Sequence, residues 1–148
     1  MVEKDAVIER QHYKGLAWVA SMALFMQSLD ATILNTALPT IATALQTPVF
    51  EMQMAIIAYS LAVALFIPLT AWAAAKFGTL TVFRSAVFTF VFGSVACAMA
   101  TSLETLVLAR ILQGIGGAFM MPVARLAIIQ TVPKNQLINA WNLMATAG

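Results

Sequence analysis

The stretch TLVLARILQGIGGAFMMPVARLAIIQTV, residues 105–132, is too long and too apolar to be the surface helix of a soluble domain. A membrane helix needs about 20 mostly apolar residues to cross about 30 Å of hydrocarbon, and this one holds only two charges, Arg110 and Arg125. Three more stretches of the same kind precede it. Residues 15–38 carry one charge, Asp30, while residues 52–75 and 85–103 carry none. Apolar character returns at Leu137 and runs to Gly148, which reads as the opening of a fifth, truncated span. The expected fold class is therefore all-α: a polytopic membrane helix bundle, with a tail at 1–14 and one membrane domain at 15–148.

The bulk composition agrees. Of the 148 residues 61% are hydrophobic and only 9% charged, where a soluble domain carries roughly 25% charged residues. A water-soluble enzyme is excluded. One cysteine, Cys97, cannot make a disulfide scaffold, and the scattered basic residues form no stripe that could follow a nucleic acid. The chain shows no nucleophile–base pair, metal-ligand cluster or phosphate loop, so neither catalysis nor a metal or cofactor is expected. Gly114-Ile115-Gly116-Gly117 lies inside an apolar helix and is no nucleotide fingerprint.

Charge placement orients the spans. Lys4, Arg10 and Lys14 precede the first, Lys76 and Arg84 separate the second from the third, and Lys134 follows the fourth. The two other connections, residues 39–51 and the turn at Glu104, hold no Lys or Arg. The positive-inside rule puts the basic side, and with it the N-terminus, in the cytoplasm of a bacterial inner membrane. The tail also holds Glu3, Asp5 and Glu9, unlike a signal peptide.

Three charged groups, Asp30, Arg110 and Arg125, sit where lipid should be. A charge at the centre of a membrane helix costs roughly 2.5–3.5 kcal/mol on insertion scales. Asp30 lies roughly 12 Å from the outer end of its span and Arg110 roughly 8 Å from the outer end of its own, at 1.5 Å per residue. Similar depths allow the two side chains to meet. Gln27 shares the Asp30 face and Gln113 the Arg110 face, and Asn35 is a further candidate for a polar cavity wall. A carboxyl balanced between burial and a neighbouring cation can load and release a proton; a static ion pair that only locks two helices is the other reading. Arg125, within two turns of the cytoplasmic end, can snorkel to the headgroups. Gly93, Gly114 and Gly117 read as helix-packing positions, Trp18, Trp72 and Trp141 as interface anchors, and Pro68 and Pro122 as kinks that free the carbonyls of Ala64 and Ala118.

Two segments carry a resemblance. Leu29-Asp30-Ala31-Thr32-Ile33-Leu34-Asn35-Thr36-Ala37-Leu38-Pro39 resembles the first-span motif of the 14-span drug:proton antiporters of the major facilitator superfamily. Leu108-Ala109-Arg110-Ile111-Leu112-Gln113-Gly114-Ile115-Gly116-Gly117-Ala118 is similar to the superfamily's fourth-span motif, whose arginine is implicated in proton transfer. The resemblance implies Asp30 and Arg110 as the proton-coupling pair, and a lipophilic small molecule, protons and the bilayer as partners. The superfamily's gating loop normally reads Gly-x-Leu-Ala-Asp-(Arg/Lys)-x-Gly-(Arg/Lys). Lys76 and Gly78 match that pattern, whereas Ala71 and Ala75 stand where the leading glycine and the acid are expected.

The resemblance also implies a longer protein whose remaining spans complete the transport path. The leading expectation is thus an N-terminal fragment of a proton-coupled multidrug efflux transporter that exports lipophilic compounds. A non-transporting gene remnant or four-helix interaction module is the second expectation, and a small oligomeric multidrug transporter the third.

Overall fold

The computed structural model describes residues 2–131 together with residues 138, 142 and 145. Lys134, Trp141, Gly148 and most of the fifth apolar stretch lie outside the described residues. The described residues form five helices: α1 (Val2–Ala44), α2 (Val49–Phe66), α3 (Leu69–Phe77), α4 (Thr79–Ala98) and α5 (Leu103–Thr131). Among the described residues three are long and apolar enough to cross a membrane: α2, α4 and residues Leu103–Gln130 of α5. The chain is the all-helical membrane bundle that its composition demands.

α1 is long enough but less apolar, because Gln27, Ser28, Asp30, Thr32, Asn35 and Thr36 interrupt it. Part of that polarity is satisfied within the helix. The Thr32 hydroxyl donates to the Ser28 carbonyl at 3.0 Å and the Thr36 hydroxyl to the Thr32 carbonyl at 3.1 Å, which spares lipid an open donor. α1 also continues through Pro39, where the apolar stretch ends.

Local sequence explains the breaks. At the α1–α2 turn Gln46 takes φ 52, Gln46 N–H donates to Thr43 and Thr47 N–H to Ala42. This crossed pair is a Schellman ending, which closes a helix on one left-handed residue. Pro68 separates α2 from α3, since it has no N–H to give to the Ala64 carbonyl. The chain restarts through Thr70, whose N–H and hydroxyl both reach the Ile67 carbonyl, at 3.0 and 2.7 Å. Pro122, by contrast, is carried inside a continuous α5. Gly78 divides α3 from α4 at φ 85, a left-handed backbone that side chains disfavour. Ser102 and Thr105 cap α5 reciprocally, each hydroxyl accepting from the other's backbone N–H, at 3.3 and 3.1 Å.

α5 is the hub. Of its apolar stretch 56% is buried, against 28% for α4 and 17% for α2. Glycines let the neighbours come in on two sides. A Cβ on Gly116 would lie 2.6 Å from the Phe90 nitrogen of α4, and one on Gly114 would lie 2.7 Å from the Tyr59 carbonyl oxygen of α2. Small residues substitute for the missing hydrophobic drive between helices in lipid.

The apolar side chains gather in two clusters. One joins Ala20, Ala23 and Leu24 of α1 with Ala73 of α3, Phe83 and Phe90 of α4, and Met120, Val123 and Ile128 of α5. The other joins Leu34, Leu38 and Ala42 of α1 with Met52 and Ala55 of α2 and Leu106 of α5. Along α1, Gln27 and Asp30 fall between the residues of the two clusters, and along α5 Arg110 and Gln113 do.

Candidate functional site: a buried ion pair between two apolar clusters

Asp30 on α1 and Arg110 on α5 meet. Arg110 Nη1 donates to Asp30 Oδ2 at 2.7 Å, with Arg110 3% exposed and Asp30 20% exposed. The same nitrogen donates to Gln113 Oε1 at 2.6 Å, one turn further along α5. Gln113 is fully buried, and its Oε1 also takes the Cys97 thiol of α4 at 3.5 Å. The guanidinium lies over the Tyr59 ring of α2, with Cζ 4.7 Å from the ring centroid. Gln27 joins from α1: its Nε2 donates to the Tyr59 hydroxyl at 3.2 Å. Four helices therefore converge on one cation.

The apolar surroundings make each of these contacts matter. A charge-assisted hydrogen bond in a low-dielectric interior is stronger than in water, and an unpaired polar group there is correspondingly costly. Gln27 Oε1, Arg110 Nε and Gln113 Nε2 are buried with no protein partner. The network thus holds unused donors and an unused acceptor beside its ion pair. A cleft of about 360 Å³ opens onto the pair, walled by Ile33, Leu34 and Ile41 of α1, by Leu45 in the turn after it, by Cys97 of α4 and by Leu106 of α5.

The other positions singled out from the sequence fall into two groups. Gly93, Gly114 and Gly117 frame the network. A Cβ on Gly93 would meet the Gln113 backbone at 2.8 Å, and one on Gly117 would meet the Tyr59 hydroxyl at 2.8 Å and Gln27 Nε2 at 3.3 Å. Asn35 is exposed. Lys76 and Gly78 belong to the α3–α4 turn. There Lys76 Nζ sits over Trp72 at 4.9 Å and over Phe77 at 5.4 Å, while Thr79 donates to Gln130 Oε1 of α5 at 2.8 Å. Ala75, in the position of the superfamily's acid, is exposed, as are Trp18, Trp72 and Arg125.

Tyr59 escaped the sequence reading, and Cys97 entered it only as the lone cysteine that excludes a disulfide scaffold. A signal for Tyr59 existed. Membrane tyrosines favour the interfaces, and this one lies in the middle of a charge-free stretch, ten residues after the start of α2.

A carboxylate and an arginine paired on the first and fourth apolar stretches, with glycine-mediated packing around them, lie on the two segments that resemble major-facilitator motifs. The chain belongs to the Major Facilitator Superfamily, whose family model matches residues 20–148. Over 140 residues it is 83% identical to the "Probable transport protein HsrA" of Haemophilus influenzae, an alignment that covers 95% of this chain and 30% of that protein. It is 44% identical over 131 residues to the "Putative multidrug resistance protein MdtD" of Salmonella typhi, covering 88% of this chain and 28% of the relative. The protein of the same name from Yersinia pestis (strain Pestoides F) matches to the same extent. The chain spans less than a third of the length of these relatives. No solved structure matches it significantly.

Proposed function

We propose that this chain supplies the proton-coupling helices of an efflux transporter that moves lipophilic compounds out across the bacterial inner membrane. The observation that carries the reading is the 2.7 Å contact between a buried Arg110 and a partly buried Asp30 that faces a cleft with mostly apolar walls. A permanent ion pair in such a place gains little over well-packed apolar residues, which favours a working role for the pair over a structural one. When Asp30 takes a proton the attraction to Arg110 is lost; when it releases the proton the attraction returns. Alternating that step with access from either side of the membrane lets inward proton flow drive outward movement of substrate. The coupling site belongs to this chain, while the substrate path requires helices beyond those described. Orientation follows the basic residues, with the N-terminus and the Lys76–Arg84 connection in the cytoplasm.

The test is Asp30→Asn in the longest reading frame that carries this sequence, expressed in cells lacking other efflux pumps. Expected is loss of uphill efflux of a lipophilic dye, with membrane abundance unchanged. Dye export that still follows the proton gradient in the variant would remove Asp30 from the mechanism.

A further inference from the structure

A buried cation has to be accommodated in every state of its partner. If Asp30 is neutralised, Arg110 keeps its charge, because a guanidinium does not deprotonate in proteins. It is then a buried cation facing a neutral carboxyl. Two neighbours retain their attraction whatever Asp30 does. One is the Gln113 amide oxygen at 2.6 Å. The other is the face of the Tyr59 ring at 4.7 Å, whose quadrupole draws a cation without needing a counter-charge.

The ring is also held in place. Gln27 Nε2 fixes its hydroxyl at 3.2 Å, and Gly117 leaves the slot it lies in, since a Cβ there would come within 2.8 Å of that hydroxyl. The titratable groups gathered around the guanidinium come from three helices: Asp30 of α1, Tyr59 of α2, and Cys97 of α4 through its bond to Gln113. Tyr59 is the only one of them that presents an aromatic face.

We infer that Tyr59 is a positioning residue: its ring is the seat that keeps Arg110 in place while Asp30 is neutral. The inference rests on the proton-exchange reading above. It assigns to α2, a helix without an intramembrane charge, an indirect share in the coupling step.

Cys97 reports on this without any engineered probe, because its thiol bonds the same Gln113 oxygen that holds Arg110. The experiment measures the rate of N-ethylmaleimide labelling of the Cys97 peptide in native membranes, by mass spectrometry, with Asp30→Asn as the mimic of the neutral carboxyl. Asp30→Asn alone and Tyr59→Leu alone should each label within about twofold of the parent. The double variant should label roughly fivefold faster or more, because coupling between residues in one network is non-additive. Combining Asp30→Asn with Tyr59→Phe, which keeps the ring, should restore the rate of Asp30→Asn alone. If the leucine variant does not accumulate in membranes, Tyr59→Met replaces it at similar bulk without a ring.

Three results overturn the inference: Tyr59→Leu alone labelling as fast as the double variant, single effects that simply multiply, or a failure of phenylalanine to restore. The dye-efflux result for Asp30→Asn is read separately. Its failure would end the proton-exchange reading and leave the labelling cycle interpretable. Failure of the cycle would remove Tyr59 and leave that reading standing.

Discussion

Arg110 and Lys76 are both cations on helices of one apolar bundle, and both lie against aromatic rings, yet they are built in opposite ways. Arg110 is enclosed about two turns into α5, with a carboxylate, an amide oxygen and a tyrosine face around it and an apolar cluster on either side. Lys76 is exposed at the end of α3, over Trp72 and Phe77, which are themselves more than half exposed. The same charge is thus a liability needing several partners in one place and a surface feature in the other. Dielectric surroundings decide which, since unit charges a few ångströms apart interact several-fold more strongly inside a protein than in water.

The largest effect should come from breaking the enclosed site. Arg110→Met removes the cation, leaving the Asp30 carboxylate without its donor and the Gln113 oxygen with only the Cys97 thiol. Losing one partner of a buried ion pair costs roughly 3–5 kcal/mol. Expected is early loss of helical signal by circular dichroism on titrating the detergent-solubilised chain with dodecyl sulfate. The double variant with Asp30→Asn should recover much of the loss, because no carboxylate is then stranded. A single variant as stable as the parent would show that the pair is solvated after all, and the contrast with Lys76 would vanish.

That contrast also separates what the sequence disclosed from what it kept back. Asp30 and Arg110 were legible because a charge among apolar residues is conspicuous, and the 1.5 Å helical rise placed them at similar depths. The all-helical class was legible for the same reason: nothing in 61% hydrophobic sequence could cover a soluble core. Tyr59 was not legible, since which face of α2 turns to α5 is set by Gly114 packing on the Tyr59 backbone, a pairing between distant segments. The division of residues 52–75 into two helices depended on Pro68, while the like residue Pro122 left α5 unbroken. A proline states that one donor is missing; the neighbouring packing settles whether the helix yields.

A medium effect tests whether the enclosure depends on how closely the helices approach. In an isolated helix Gly→Ala is favourable by roughly 1 kcal/mol. At Gly116 the added methyl would sit 2.6 Å from the Phe90 nitrogen and 2.8 Å from the Ala86 carbonyl oxygen, both backbone atoms that cannot swing aside. Overpacking costs roughly 1–3 kcal/mol and should outweigh the propensity gain. Gly116→Ala should therefore lower resistance to dodecyl sulfate in the same assay. A stabilised variant would mean that α4 and α5 lie further apart, and that Gln113 is not pressed between Gly93 and Cys97.

The smallest effect belongs to the exposed cation. Lys76→Ala gives up its position over Trp72 and Phe77, worth roughly 0.5–1 kcal/mol at an exposed site, and leaves the edge-to-face contact of the two rings at 6.0 Å intact. Unfolding should shift by less than for Gly116→Ala, and labelling of Cys97 by maleimide should not change, because among the described residues Gln113 bonds Arg110 and Cys97 and not the α3–α4 turn. The labelling is the informative half. An altered Cys97 rate in Lys76→Ala would show that the turn communicates with the Arg110 network. Lys76 would then belong to the same device as the buried pair, despite its exposure and despite the alanine at position 75.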